Sequence, residues 1–385
     1  MTAISTIDIL RDLIAFDSTS RNSNRPIIDY VAAYLNRLGC EPLLVWNGDR
    51  SKANLWASFG PAHGGGGVIL SGHTDTVPVD GQDWSSDPFV LTNRDGLLYG
   101  RGACDMKGFL ACVLALAPRL AGSNLTRPVH IAFSHDEEIG CIGVKSLIGH
   151  LREHPPQAAY CVVGEPTSMQ PVIGHKGGQA YRVRVTGSEA HSSLAPQAVN
   201  AISYAAELIV HLNGVAERLR QGLSDPLYDI VHATLTTGLI QGGSAINIVP
   251  RACEFVFEYR HLAGLDPEAI LAGIVSHARD VLLAPMRAVA PEADISFENI
   301  YAYPHFEIDP GHELVSRVKA WAGSNAEAKV AYGTEAGYFA GLGIPTIVCG
   351  PGSINQAHKP DEFIAPEQLD ACDRFLEKIR LFCCA

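Results

Sequence analysis

A chain of 385 residues, 47% of them apolar and 18% charged, has material for more than one buried core and contains no disordered low-complexity tract. Its formal net charge of −12 excludes the basic surface that non-specific binding to nucleic acid or to anionic membrane requires. The opening MTAISTIDILRDLIAF carries acidic residues and no basic n-region, and the apolar run 109–117 is too short to cross a bilayer. The expectation is a soluble, cytoplasmic protein acting on a small molecule.

Apolar residues at helical spacing predict a helix over 27–38, stopped by Gly39. The glycine run 64–67 reads as a flexible turn before a short strand at 68–71, which leads into His73 in the motif GHTDT. GRGACDMKG puts Asp105 ahead of a helix over 106–120. A strand over 129–133 runs into HDEEIG, with Glu137 and Glu138. A helix over 144–151 follows, and a strand over 158–163 delivers Glu165 in GEPTS. Late in the chain a strand over 345–349 opens into NQAHKPDEF, which holds His358. This alternation implies an α/β fold, a mostly parallel sheet with helices on both faces, whose ligands bind beyond the carboxyl ends of the strands.

The segment 179–298 reads differently. Strands at 181–186, 232–237, 254–259 and 295–298 and helices over 198–219 and 267–282 give the order β-α-β-β-α-β of a ferredoxin-like α+β unit. It is inserted into a domain made of 1–178 and 299–385.

His73, Asp105, Glu138, Glu165 and His358 are the set that carries chemistry. Taken singly, each motif has a bland account. GHTDT makes a surface turn, Asp105 an N-cap, HDEEIG a solvated acidic loop, and Lys107 a first-turn surface residue. Together, two imidazoles and three carboxylates are what a pair of zinc ions needs if one carboxylate bridges them. Three ligands per ion then leave a position for water, as catalytic zinc sites do. Cobalt or manganese could take the same ligands. Glu137, beside Glu138, is a spare carboxylate able to take a proton from that water. Asp75 is expected to receive the second N–H of His73.

Ten cysteines, none spaced as Cys-x-x-Cys, lie mostly in apolar patterns, as reduced core thiols do. Cys104 adjoins Asp105 without becoming a ligand, and Cys383 and Cys384 are expected in a frayed tail. No G-x-S-x-G elbow, phosphate loop or dinucleotide fingerprint is found.

With these motifs in order along nearly its whole length, the chain resembles the co-catalytic dinuclear zinc deacylases and peptidases. That resemblance implies a zinc exopeptidase-like domain in which His73 and Glu165 hold one zinc, Glu138 and His358 the other, and Asp105 bridges. It further implies Glu137 as base, Asp75 as support for His73, and a cis peptide after Asp105. The inserted unit is similar to the family's lid and dimerisation domain, which implies a homodimer.

Within the family, GEPTSMQPVIGHKG, pieces of AHSSLAPQAVNAI and above all CGPGSINQAHKPDEF are most similar to the acetylornithine deacetylases. The implied activity is release of acetate from N2-acetyl-L-ornithine, a step of arginine biosynthesis. His191 then stabilises the oxyanion in the partner's site, Arg260 grips the substrate carboxylate, and Asn247 with the Gly350 to Ser353 loop completes the pocket. Ala198, His261 and Ala263 depart from that branch, all within the inserted segment, so they bear on substrate choice. The alternatives are another N-acyl amino acid deacylase, such as succinyl-diaminopimelate desuccinylase or an aminoacylase, and a non-catalytic metal-binding metabolite sensor. The sensor has no chemical use for Glu137.

Overall fold

The computed structural model describes residues 4–62 and 65–385. Gly64 of the glycine run, and the first three residues, lie outside them.

Strands in chain order are β1 (Leu43–Trp46), β2 (Ala53–Phe59), β3 (Gly67–His73), β4 (Thr92–Arg94), β5 (Leu97–Tyr99), β6 (Val129–Ser134), β7 (Ala158–Val163) and β8 (Val172–His175). Then come β9 (Gly177–Thr186), β10 (Thr234–Gly242), β11 (Ala252–His261), β12 (Asp294–Tyr303), β13 (Phe306–Glu307), β14 (Ala328–Val330), β15 (Thr346–Val348) and β16 (Phe363–Ile364). Helices are α1 (Thr6–Ile14), α2 (Arg25–Asn36), α3 (Lys107–Ala121), α4 (Val144–Glu153), α5 (Ala201–Gln221), α6 (Pro267–His277), α7 (Ala284–Val289), α8 (Glu313–Ala322), α9 (Ala336–Ala340) and α10 (Pro366–Cys384).

The chain forms two compact units. The larger, residues 1–175, 306–329 and 334–385, is built on a sheet of order β1-β2-β6-β3-β7-β15-β8-β13, with β14 beside β8. The expected parallel character is seen in β6, β3, β7 and β15. The flanking strands are antiparallel, so the sheet is mixed. Strands β3 and β6 are buried at every residue, so their apolar residues do not alternate with exposed polar ones. Helices α1, α3, α8 and α10 pack with one another, while α2, α4 and α9 pack against β2, β1 and β15, so both faces of the sheet are covered.

Two local expectations change. Lys107 is fully buried, donating from Nζ to the Phe16 carbonyl at 2.8 Å, and burial lowers its pKa to about 7. The end of the chain is pinned rather than frayed. Cys383 is buried, and its carbonyl accepts from the amides of Thr126 (2.8 Å) and Arg127 (3.0 Å).

At the amino end of β6, His130 stacks on Trp56 with ring centres 4.9 Å apart, and its Nδ1 lies 2.7 Å from Ser58 Oγ. Burial lowers the His130 pKa to about 4, below the roughly 6.5 of an unfolded chain. The native state therefore resists the proton, and this stability is complete above pH 6.5 and drains away as pH falls towards 4. Between pH 7 and pH 5 the loss from this one group is about 2 kcal/mol. Denaturant unfolding of His130→Gln at both pH values is expected to show that much less pH dependence. An unchanged slope would refute the assignment.

The smaller unit, residues 176–305 and 330–333, has an antiparallel sheet of order β10-β11-β9-β12. Alternation works there as in the sequence. Tyr181, Val183 and Val185 face the core with Phe255, Phe257 and Tyr259, while Arg182 and Arg184 meet Glu254 and Glu298 outside. Asn200 and Asp266 cap α5 and α6 with their side-chain oxygens. The stretch Pro267–Val289 has the length and apolar character to cross a membrane. In this fold it packs Ile274, Ala278, Leu282 and Met286 into the unit's core.

Candidate metal centre

Three side chains of the centre are delivered by the carboxyl ends of central strands or the turns after them; Asp105 comes from the turn that precedes α3, and His358 from the loop after β15. β3 ends on His73 itself, and β6 runs into the turn that holds Glu137 and Glu138. β7 is followed by Gly164 and Glu165. A Cβ on Gly164 would fall 2.1 Å from Phe109 Cγ, and one on Gly350 would fall 2.0 Å from the Gly164 carbonyl. Glycine at both positions lets α3, the Glu165 turn and the loop after β15 close on one another.

The five residues read as ligands come together as two groups that share one member. His73, Asp105 and Glu165 form the first, and Asp105, Glu138 and His358 the second; the ligand atoms within each group lie within 4.8 Å of one another. Asp105 faces both ways. Its Oδ1 is 3.1 Å from His73 Nε2 and its Oδ2 is 3.4 Å from His358 Nε2. His73 Nε2 is 3.8 Å from Glu165 Oε1, and His358 Nε2 is 3.0 Å from Glu138 Oε2. The peptide after Asp105 is cis. Asp105 does not cap α3: Met106 stands at the cap position and makes no side-chain cap bond.

Electrostatics show what the groups want. Burial, reinforced by Asp105, pushes the Glu138 carboxyl up to about 7, and burial raises Glu165 well above its usual range. Burial also raises Asp105, but hydrogen bonds to His358 and His73 hold it below the carboxylate range. Bonds to Asp105 and Glu138 lift His358 to about 10. Glu138 Oε1 and Glu165 Oε1 are buried without any hydrogen-bond partner. Packed carboxylates with orphaned oxygens are costly unless cations sit among them, and two divalent ions match this donor set.

Glu137 belongs to neither group. Burial, opposed by His73 and assisted by Glu138, raises its pKa, and its Oε1 accepts from Cys141 Sγ at 3.2 Å. Asp75 acts differently from expectation. His73 Nδ1 bonds the backbone carbonyl of Asp75 at 3.0 Å, while the Asp75 carboxylate lies 3.6 Å from that nitrogen. Those carboxylate oxygens accept instead from Ser20 Oγ (2.7 Å) and from the amides of Glu137 (3.1 Å) and Glu138 (3.3 Å). Asp75 therefore sets the turn that holds both glutamates. The other half of HDEEIG pairs off, His135 with Asp136 at 3.1 Å and Asp136 with Lys52 at 2.5 Å.

Gly350 donates its N–H to Thr167 Oγ1, and its carbonyl accepts from the Thr167 and Met169 amides. It shapes the turn behind Glu165 and keeps no polar group for a ligand. Ser353 is half-buried, and its carbonyl accepts from the Cys104 thiol at 3.3 Å, so Cys104 is spent on a backbone contact. Thr334 Oγ1 accepts from the Ala336 amide at the start of α9, and Glu335 is sealed beside Ser71 and Ser134, where burial raises it to about 7.

His191, Asn247 and Arg260 belong to the smaller unit. The Asn247 carbonyl accepts from the Ser192 amide at 2.9 Å, which brings the His191 and Asn247 segments side by side. Arg260 is tied to Glu258 (3.3 Å) and to the Ala331 carbonyl (3.2 Å).

A centre of this kind, with a spare carboxylate at its edge, is equipped for metal-dependent hydrolysis. Comparison with known proteins agrees. Residues 69–380 match the profile of peptidase family M20/M25/M40, and the chain belongs to that family of metal-dependent hydrolases. The acetylornithine deacetylase of Proteus mirabilis (strain HI4320) is 37% identical over 372 residues, spanning 93% of this chain and 91% of its own. That of Pasteurella multocida (strain Pm70) is 36% identical over 361 residues, with the same coverage. Among solved structures, the M20 family metallo-carboxypeptidase Sso-CP2 from Sulfolobus solfataricus has a TM-score of 0.78 at 18% identity, covering 98% of both chains. The YXEP protein of Bacillus subtilis, a dinuclear metal-binding peptidase of the M20 family, gives 0.68 at 16% identity, covering 98% of this chain and 97% of its own. At such identities these two speak for the fold alone.

Proposed function

We propose that this hydrolase removes the acetyl group of N2-acetyl-L-ornithine, giving L-ornithine and acetate in arginine biosynthesis. The observation that carries the reading is the run of acetylornithine deacetylases 36–37% identical across 93% of the chain. Two zinc ions, one held by His73, Asp105 and Glu165 and the other by Asp105, Glu138 and His358, would polarise the amide carbonyl and acidify a water. Glu137 takes the proton of the attacking water and hands it to the leaving amine. Its raised pKa suits a group that must first accept a proton and then give it up. Arg260 receives the substrate carboxylate in its planar fork, His191 donates to the developing oxyanion in the partner's site, and Asn247 helps complete the substrate pocket.

The smaller unit acts in this reading as lid and dimerisation domain. In its favour, β10 is an edge strand with Leu239 and Ile240 exposed, an invitation to pair with a second copy. Ten unpaired cysteines suit a reducing compartment such as the cytoplasm.

Zinc-loaded protein is expected to hydrolyse N2-acetyl-L-ornithine in preference to N-succinyl-diaminopimelate, as read by release of free amine. Preference for the succinylated amide would keep the mechanism and discard the substrate. No turnover of either would discard both.

A further inference from the structure

The motif NQAHKPDEF supplies His358 to the centre, but a second residue of it reaches the same place by another route. Glu362 is 1% exposed, and its carboxylate accepts four hydrogen bonds from the segment that carries Asp105. Oε2 takes Arg101 Nη1 at 2.7 Å and the Gly102 amide at 3.1 Å, and Oε1 takes the Cys104 amide at 2.8 Å and the Asp105 amide at 3.0 Å. The Glu362 carbonyl also accepts from the Gly100 amide at 2.9 Å, and its neighbour Phe363 begins the pairing of β16 with β5.

A buried ion pair with Arg101 would account for the charge of Glu362, and such pairs add little net stability. It does not account for three further bonds, each to a backbone N–H of the loop whose last member is Asp105. Those amides point inward around one carboxylate, so the path of the loop is set by where Glu362 stands.

We infer that Glu362 is the positioning residue of the metal centre: it fixes the backbone of Asp105, so that the two oxygens of that carboxylate face His73 and His358. Because Glu362 and His358 share a loop, the clasp also sets the spacing between the shared ligand and the second imidazole. Glu362 touches neither ion nor substrate and acts through Asp105. The inference rests on the proposed role of Asp105 as a ligand and is independent of which amide is cleaved.

The test is Glu362→Gln, which keeps size and shape but turns two acceptor positions into donors facing Arg101 and the Gly102 amide. Zinc affinity is read by competition with a chromophoric chelator, and the cobalt-loaded protein by its visible absorption. Affinity for at least one ion is expected to fall about 10- to 100-fold, the usual effect of losing a residue that orients a ligand. The cobalt bands should shift, while the circular dichroism of the metal-free protein stays as in wild type. Affinity within threefold of wild type with unshifted bands would overturn the inference. Should the single variant be recovered unfolded, Arg101→Met with Glu362→Gln removes the stranded guanidinium, and the same competition decides. Failure of the deacetylase reading would appear as absent turnover in wild type with metal binding intact, a different result.

Discussion

Glu137→Ala is expected to lower kcat for amide hydrolysis roughly 10²- to 10⁴-fold, the range for loss of a general base, while both metal ions stay bound. The expectation follows from position. Glu137 stands beside Glu138 but outside both ligand groups, and its turn is held by Asp75 through the amides of residues 137 and 138. Removing the carboxylate therefore spares the scaffold. Metal analysis of the dialysed variant beside its turnover number is the check. A variant that lost metal as well as rate would make Glu137 a ligand, and one with full rate would remove it from the chemistry.

Asp105→Asn is expected to be as damaging by a different route. Its two oxygens serve two groups, and an amide offers one oxygen and an NH₂ that cannot ligate. The variant should retain at most one ion per chain and lose several kcal/mol of transition-state stabilisation, about 10³-fold or more in rate. Its melting temperature should also respond less to added zinc than that of wild type, since an ion that binds only the native state raises stability by mass action. Two ions in the purified variant would show that the aspartate is not shared.

Much of the centre is legible in the amino-acid sequence. His73, Glu138 and Glu165 can be read because each sits in a short polar motif directly after an apolar run, where the carboxyl ends of parallel strands gather such motifs, while Asp105 is marked by a Gly-rich turn before a helix and His358 by the loop after a strand. The four-stranded unit is visible through strict alternation, as in Tyr181, Arg182, Val183 and Arg184. Other features are hidden for physical reasons. Lys107 looks like a surface residue at a helix start, because a single cation does not reveal which side of the first turn is buried. Spacing matches the Asp75 carboxylate to His73, whereas the turn just past the strand end brings the backbone carbonyl of Asp75 nearer to the imidazole. The grip of Glu362 on the Asp105 loop joins residues 257 apart, and no local pattern encodes a contact of that span.

That span bears on when the centre can exist. During synthesis His73, Asp105, Glu138 and Glu165 emerge well before the smaller unit is made, and the first ligand group is then complete in composition. His358, Glu362 and α10, which packs on α3, leave the ribosome only after that unit has been synthesised. A chain cut short within the smaller unit thus contains one candidate ligand group and never both. Both candidate ligand groups are present in this polypeptide only after most of its residues have been synthesised.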